Sequence, residues 1–188
     1  MTWLILATVV QFVFLLALGV VVLSLARQVG ILHERTAPAA LVGKSTAIAV
    51  GDRLAATEVR MLSGQTHTIG EHIQSDAPVG TEITALLFIG SDCPICRSVL
   101  PVYQRELASR TGLSGFWVGD GLQMGSYEDY AAEHGIDEDA FVMSTELGLK
   151  LGVRTLPAVA FLDSDGKLIS KEVVNGPRQL EKAFSVLT

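Results

Sequence analysis

The chain has only two cysteines, and they stand three apart in the run Cys93-Pro94-Ile95-Cys96, a spacing that suits reversible dithiol chemistry. Before them, Ile83-Thr84-Ala85-Leu86-Leu87-Phe88-Ile89-Gly90 is a nearly unbroken apolar stretch, the pattern of a short strand buried on both faces. After them, Arg97 to Arg110 carries apolar residues at helical spacing with charges outside. The pair therefore lies where a strand hands over to a helix. Unpaired amide N–H groups and the positive end of the helix dipole favour an anion there, drawing a thiol pKa down from roughly 8.5 toward the reactive range. Cysteines in one first turn can also reach the Cα separation of about 4.4–6.8 Å that a disulfide requires. The expected chemistry is dithiol–disulfide exchange. Two inert structural cysteines are the bland alternative, since free cysteine is among the most buried residue types; the helix-start position argues against it.

Other chemistries find less support. A structural zinc site takes four ligands as a rule, and only one pair of thiols exists. His33, His67, His72 and His134 are dispersed and read as surface or connector residues. Asp163-Ser164-Asp165-Gly166 resembles half of a calcium loop but lacks the distal glutamate, so it reads as a turn. Met61, Met124 and Met143 form no stripe, and Phe88, Trp117, Phe141 and Phe161 read as core. No metal and no cofactor is expected.

Mean hydropathy is +0.41, and the excess is local. From Trp3 to Ala26 there is no charged residue, and Gln11 is the only strongly polar one. About 20 apolar residues cross a hydrocarbon core, so residues 1–26 read as a single-pass transmembrane anchor. A cleaved signal peptide is the rival, but no basic segment precedes the run and the run exceeds an h-region of about 7–15 residues. Residues 27–49 read as a juxtamembrane connector that extends the helix until Pro38 ends it. Arg27, Arg35 and Lys44 follow the span, and the positive-inside rule would put the rest of the chain in the cytoplasm. The redox argument points the other way, because a tethered dithiol is most useful where client disulfides persist. The expected location is the inner membrane with the dithiol domain in the periplasm. Formal net charge is −6, and the chain past Lys44 is strongly acidic, which leaves no basic stripe for nucleic acid.

Residues 50–188 alternate strands and helices. A hairpin turns at Ser63-Gly64, and Gly115 to Gly119 reads as a second core strand. Ser126 is expected to cap a helix through His134, and Pro101 to kink the cysteine helix. Ala140 to Met143 reads as a short strand, with a helical turn at Glu146 to Leu151. Ala158 to Leu162 and Leu168 to Val174 flank Asp163-Ser164-Asp165-Gly166-Lys167, a hairpin with strong turn chemistry. A last helix starts at Pro177. The fold class is α/β: a mixed central sheet with helices on both faces, behind a transmembrane helix.

The dithiol after an apolar strand, Pro101 in the next helix, Thr155-Leu156-Pro157 before a hairpin and a terminal helix together resemble the thioredoxin fold over residues 50–188. The resemblance implies that Pro157 is cis and faces the dithiol, where the Leu156-Pro157 segment helps to hold an extended client. The leading hairpin, opened by Val50-Gly51-Asp52, is similar to the redoxin branch of membrane-tethered thioredoxins. The segment Leu25-Ala26-Arg27-Gln28-Val29-Gly30-Ile31-Leu32-His33-Glu34-Arg35-Thr36-Ala37-Pro38-Ala39, with the late Val174-Asn175-Gly176-Pro177-Arg178, resembles the MauD family of methylamine utilization proteins. That resemblance implies disulfide formation or correction in the small subunit of periplasmic methylamine dehydrogenase, with Cys93 and Cys96 catalytic and a further redox partner resetting them. Generic reduction for cytochrome c maturation and a non-catalytic assembly role are the alternatives.

Three positions depart from the related patterns. Many thioredoxins keep a buried acid six residues before the first cysteine, and Leu87 is there instead. Asp92 replaces the usual tryptophan, and its carboxylate is expected to oppose a Cys93 thiolate. Peroxiredoxins place Thr or Ser where this chain has Gly90, which argues against a peroxidase.

Overall fold

The computed structural model describes residues 1–36, 47–71, 83–121 and 124–187, with Leu4, residues 21–36 and Met124 given by backbone alone. Pro38 and Lys44 of the connector, and His72, lie outside the described residues. The chain divides into two compact units, Met1–Ser45 and Thr46–Thr188.

The described part of the first unit is one helix, α1 (Thr2–Thr36), continuous through the Arg27 to Arg35 segment. Large apolar side chains stand exposed along its described part, among them Trp3, Leu6, Val10, Phe12, Phe14 and Leu18. Among the described residues, no helix is long and apolar enough to cross a membrane.

The second unit is built on a seven-stranded sheet in the order β2-β1-β5-β4-β3-β6-β7. Its strands are β1 (Thr57–Met61), β2 (Thr66–Ile69), β3 (Ile83–Phe88), β4 (Leu113–Gly119), β5 (Phe141–Met143), β6 (Ala158–Asp163) and β7 (Leu168–Val173). The helices are α2 (Pro94–Ser109), α3 (Met124–His134), α4 (Thr145–Lys150) and α5 (Pro177–Phe184). β3 runs parallel to β4 and antiparallel to β6, placing it mid-sheet, and it is buried from Thr84 to Phe88. That burial explains why its sequence is apolar throughout rather than alternating.

Side chains alternate across the pleat into two cores. Ala85, Leu87, Ile89, Val159 and Phe161 pack with Val99 and Tyr103 of α2, Tyr127 and Tyr130 of α3, and Leu180 and Phe184 of α5. Leu86, Phe88, Val142, Ala160 and Leu162 pack with Leu147 of α4 and with Leu151 at its C-terminal cap. Each fully buried side chain of this size is worth about 1.5–3 kcal/mol. Tyr103 ties α2 to the sheet, directing its hydroxyl at the carbonyls of Ala85 (2.9 Å) and Phe116 (3.1 Å).

Local chemistry sets the turns. Asp163 Oδ1 accepts from the amides of Asp165 and Lys167, both at 2.9 Å, and Gly166 adopts φ +73° to close the β6–β7 hairpin. α2 runs unbroken past Pro101, whose ring is exposed. α3 begins at Met124, so Ser126 lies within its first turn rather than capping it. A cap residue contributes only about 1 kcal/mol and does not by itself fix where a helix begins, while Tyr127, Tyr130 and Ala131 are buried on the core face of α3.

Candidate redox site

The site forms where β3 ends. Ile89 continues the strand's bonding by donating its N–H to the Val118 carbonyl at 2.9 Å, and Gly90-Ser91-Asp92 then turns into α2. Cys93 is the N-cap, in extended conformation (φ −90°, ψ 111°), and Pro94 takes a first-turn position where a missing N–H costs nothing. The Cys93 amide donates to the Gly90 carbonyl at 3.2 Å, closing the turn. Cys93 Sγ accepts from the Cys96 amide at 3.3 Å, the contact that a capping oxygen would make elsewhere. The sulfur thus sits on the open amide end of the helix, as the strand-to-helix reading expects. Asp92 is exposed, so water screens its carboxylate.

The two thiols are unlike each other. Both are free, Cys93 partly exposed and Cys96 fully buried. Burial, reinforced by a hydrogen bond with Cys93, pushes the Cys96 thiol up to about 12, against the opposing pull of the Gly90 amide. That amide donates to Cys96 Sγ at 3.4 Å. The outer sulfur can meet a macromolecular partner, and the inner one can reach only what is already attached to its neighbour.

The Leu156–Pro157 peptide bond is cis, and Pro157 is buried while Leu156 is 42 % exposed. A Cβ built on Gly90 would lie 3.6 Å from both Cys93 Cβ and Leu156 Cδ1, so Leu156 and Cys93 flank one point on the surface. Ile95 is also 41 % exposed, giving the partly open sulfur an apolar rim. The Pro157 carbonyl accepts from the Val174 amide at 2.9 Å, anchoring the segment to the end of the β6–β7 hairpin.

Sequence reasoning missed Tyr127 and Tyr130. They stand three apart on α3 and present both rings to the core around Cys96, and that i, i+3 aromatic spacing is their one signal in the sequence. Tyr127 Oη donates to the Ile89 carbonyl at 3.2 Å and accepts from the Asp120 amide at 3.3 Å. The Tyr130 hydroxyl is buried with no hydrogen-bond partner among the described residues. Leu87, at the position of the thioredoxin acid, is fully buried in the same core. Among the described residues no group of His, Cys, Asp or Glu side chains could hold a metal ion.

Known proteins give two kinds of likeness. No family model matches the chain. The methylamine utilization protein MauD of Methylophilus methylotrophus is 30 % identical over 172 residues, covering 92 % of this chain and 78 % of that protein. The chain belongs to the MauD family. The MauD proteins of Methylorubrum extorquens and Paracoccus denitrificans are 29 % and 27 % identical, each over 96 % of this chain and 85 % and 86 % of their own lengths. Among solved structures, a protein described as thiol:disulfide interchange protein DsbE from Chlorobium tepidum superposes with a TM-score of 0.60 at 18 % identity, covering 75 % of this chain and 96 % of its own. StoA from Bacillus subtilis gives 0.55 at 19 % identity, with 71 % and 97 % covered. These superpositions establish the thioredoxin-like fold for this MauD family member.

Proposed function

We propose that the protein is a membrane-tethered thiol–disulfide oxidoreductase that assists disulfide formation or maturation of a periplasmic client. The observation that carries this reading is the unequal dithiol: a partly exposed Cys93 capping α2 beside a buried Cys96 on the same turn. In the oxidised protein a client thiolate attacks Cys93, and Cys96 leaves and takes up a proton. A second client thiolate then displaces Cys93, so the client loses two electrons to the protein's disulfide. In the reverse direction Cys96 resolves the mixed disulfide at Cys93. Leu156, which flanks the same point as Cys93, and the adjoining Pro157 are the client-binding residues, and the exposed apolar side chains of Leu156 and Ile95 suit an extended segment. A separate, unidentified redox partner must return the dithiol to its starting state.

The named relatives act in methylamine utilization, which supports the small subunit of methylamine dehydrogenase as the client. The uncharged run from Trp3 to Ala26, with apolar side chains exposed along the described stretch from Trp3 to Val20, supports a single-pass inner-membrane anchor at 1–26. Residues 27–49 then serve as connector and 50–188 as the periplasmic domain.

Replacing Cys96 by Ala in cells that make the client tests the chemistry. The expected result is a covalent adduct between Cys93 and the client, visible on a non-reducing gel and absent from a Cys93→Ala, Cys96→Ala double variant. Normal client maturation without an adduct would instead indicate an assembly factor whose cysteines only stabilise its fold.

A further inference from the structure

The buried sulfur has a polar connection that runs out of the site through a peptide bond. Gly90 N–H, the donor to Cys96 Sγ at 3.4 Å, and the Ile89 carbonyl, the acceptor from Tyr127 Oη at 3.2 Å, belong to one planar peptide group. A donor on the oxygen of an amide draws charge from its nitrogen and strengthens its N–H as a donor, since hydrogen bonds in a chain polarise one another. The Asp120 amide, at 3.3 Å from Tyr127 Oη, completes the series and leaves the phenol proton directed at Ile89.

We propose that Tyr127 is a positioning residue for the inner thiol: its O–H, acting through the Ile89–Gly90 peptide, stabilises negative charge on Cys96 Sγ whenever that sulfur attacks or leaves. The inference rests on the exchange reading above and names the device that this chain uses where Leu87 removes the familiar acid. The Gly90 amide opposes the burial that keeps Cys96 protonated. In a mixed disulfide Cys93 carries no thiol, so its contribution disappears, and burial is opposed by backbone hydrogen bonding, that of the Gly90 amide first. Among the described residues, the titratable groups bearing on Cys96 are Cys93, at the cap of the same helix, and the phenols of Tyr127 and Tyr130 on α3, with Asp120 acting on Tyr127 and Arg97 and Glu133 on Tyr130. Burial raises both phenols, so Tyr127 remains a donor across the working pH range. Among the described residues the Tyr130 hydroxyl has no hydrogen-bond partner and no such link to the Ile89–Gly90 peptide, which makes it the internal comparison.

Reduced full-length protein and excess dithiobis(nitrobenzoate) separate the two thiols. In the first phase the Cys93 thiolate breaks the reagent's S–S bond, forms a mixed disulfide and releases one thionitrobenzoate. In the second, Cys96 gives its proton to buffer and attacks Cys93 sulfur. The Cys93–reagent bond breaks, a second thionitrobenzoate leaves and the Cys93–Cys96 disulfide forms, so two electrons pass to the reagent. The reagent concentration is set to make the first phase fast. For Tyr127→Phe the second phase is expected to slow about twofold to tenfold, the worth of one hydrogen bond, with its pH profile moved to higher pH. The first phase, and both phases of Tyr130→Phe, should stay unchanged. A second phase unaffected in Tyr127→Phe would overturn the inference, as would equal slowing of both phases or the same slowing in Tyr130→Phe. If wild-type protein releases only one thionitrobenzoate, or Cys93→Ala retains the first phase, the exchange reading itself fails and this inference falls with it.

Discussion

Brief alkylation of the reduced, folded protein with iodoacetamide at pH 8 should label Cys93 and leave Cys96 almost untouched, and the size of the protection can be worked out. The Cys96 thiol is pushed from an ordinary value near 9.0 to about 12. That change lowers its thiolate fraction about a thousandfold, since each pKa unit is a factor of ten. A more basic thiolate is also a better nucleophile, and a Brønsted slope of about 0.4–0.5 returns roughly 15- to 30-fold. The net chemical protection is then about 30- to 60-fold. Complete burial of the side chain multiplies this by the rarity of opening, so the measured factor should exceed that range. Isotope-coded reagents, early quenching and peptide mass spectrometry would give each rate, with the same cysteine in guanidinium-unfolded chain as the reference. A native Cys96 rate within tenfold of its unfolded rate would refute both the burial and the electrostatic reasoning. Equal native rates at Cys93 and Cys96 would refute the division of roles.

The same raised thiol makes stability depend on pH. The unfolded chain releases the Cys96 proton first as pH rises, so its contribution is intact below about 9 and is lost as pH climbs toward 12. Chemical denaturation of the reduced protein across that window should show the decline, and the disulfide form, which has no such proton, should lack this component. Gly166→Ala should destabilise by roughly 2–4 kcal/mol, because φ is +73° and the added carbon would meet the Gly70 carbonyl carbon at 2.5 Å and the Glu71 nitrogen at 2.7 Å. Urea unfolding with a loss below about 0.5 kcal/mol would show that the hairpin and the Gly70 turn can part cheaply. A C-terminal alkaline phosphatase fusion should be active in cells and a green fluorescent fusion dark. The opposite pattern would put the dithiol domain in the cytoplasm and remove the periplasmic client.

Much of the site is legible in the sequence because its chemistry is local. Two cysteines three apart at a strand-to-helix junction must share one helical turn, and the amide end of that helix must face the first of them, whatever the rest of the chain does. The β6–β7 turn is equally self-contained, since Asp163 bonds amides two and four residues ahead. The start of α3 departs from its sequence signal, a cap preference of about 1 kcal/mol that does not by itself fix where a helix begins. Other features exist only because distant segments pack together. Leu156 reaches the Gly90 surface beside Cys93 through the antiparallel pairing of β6 with β3, which no local pattern encodes. The inequality of the two thiols comes from the depth at which α2 is packed, a property of the whole core. Tyr127 finds the Ile89 carbonyl, 38 positions back along the chain, only because α3 folds over the end of β3. Sequence thus determined which atoms could react and where along the backbone they would be presented. Burial, the neighbour across the sheet and the polarised peptide behind the inner sulfur were decided by tertiary packing, because desolvation and hydrogen bonding act through space rather than along the chain.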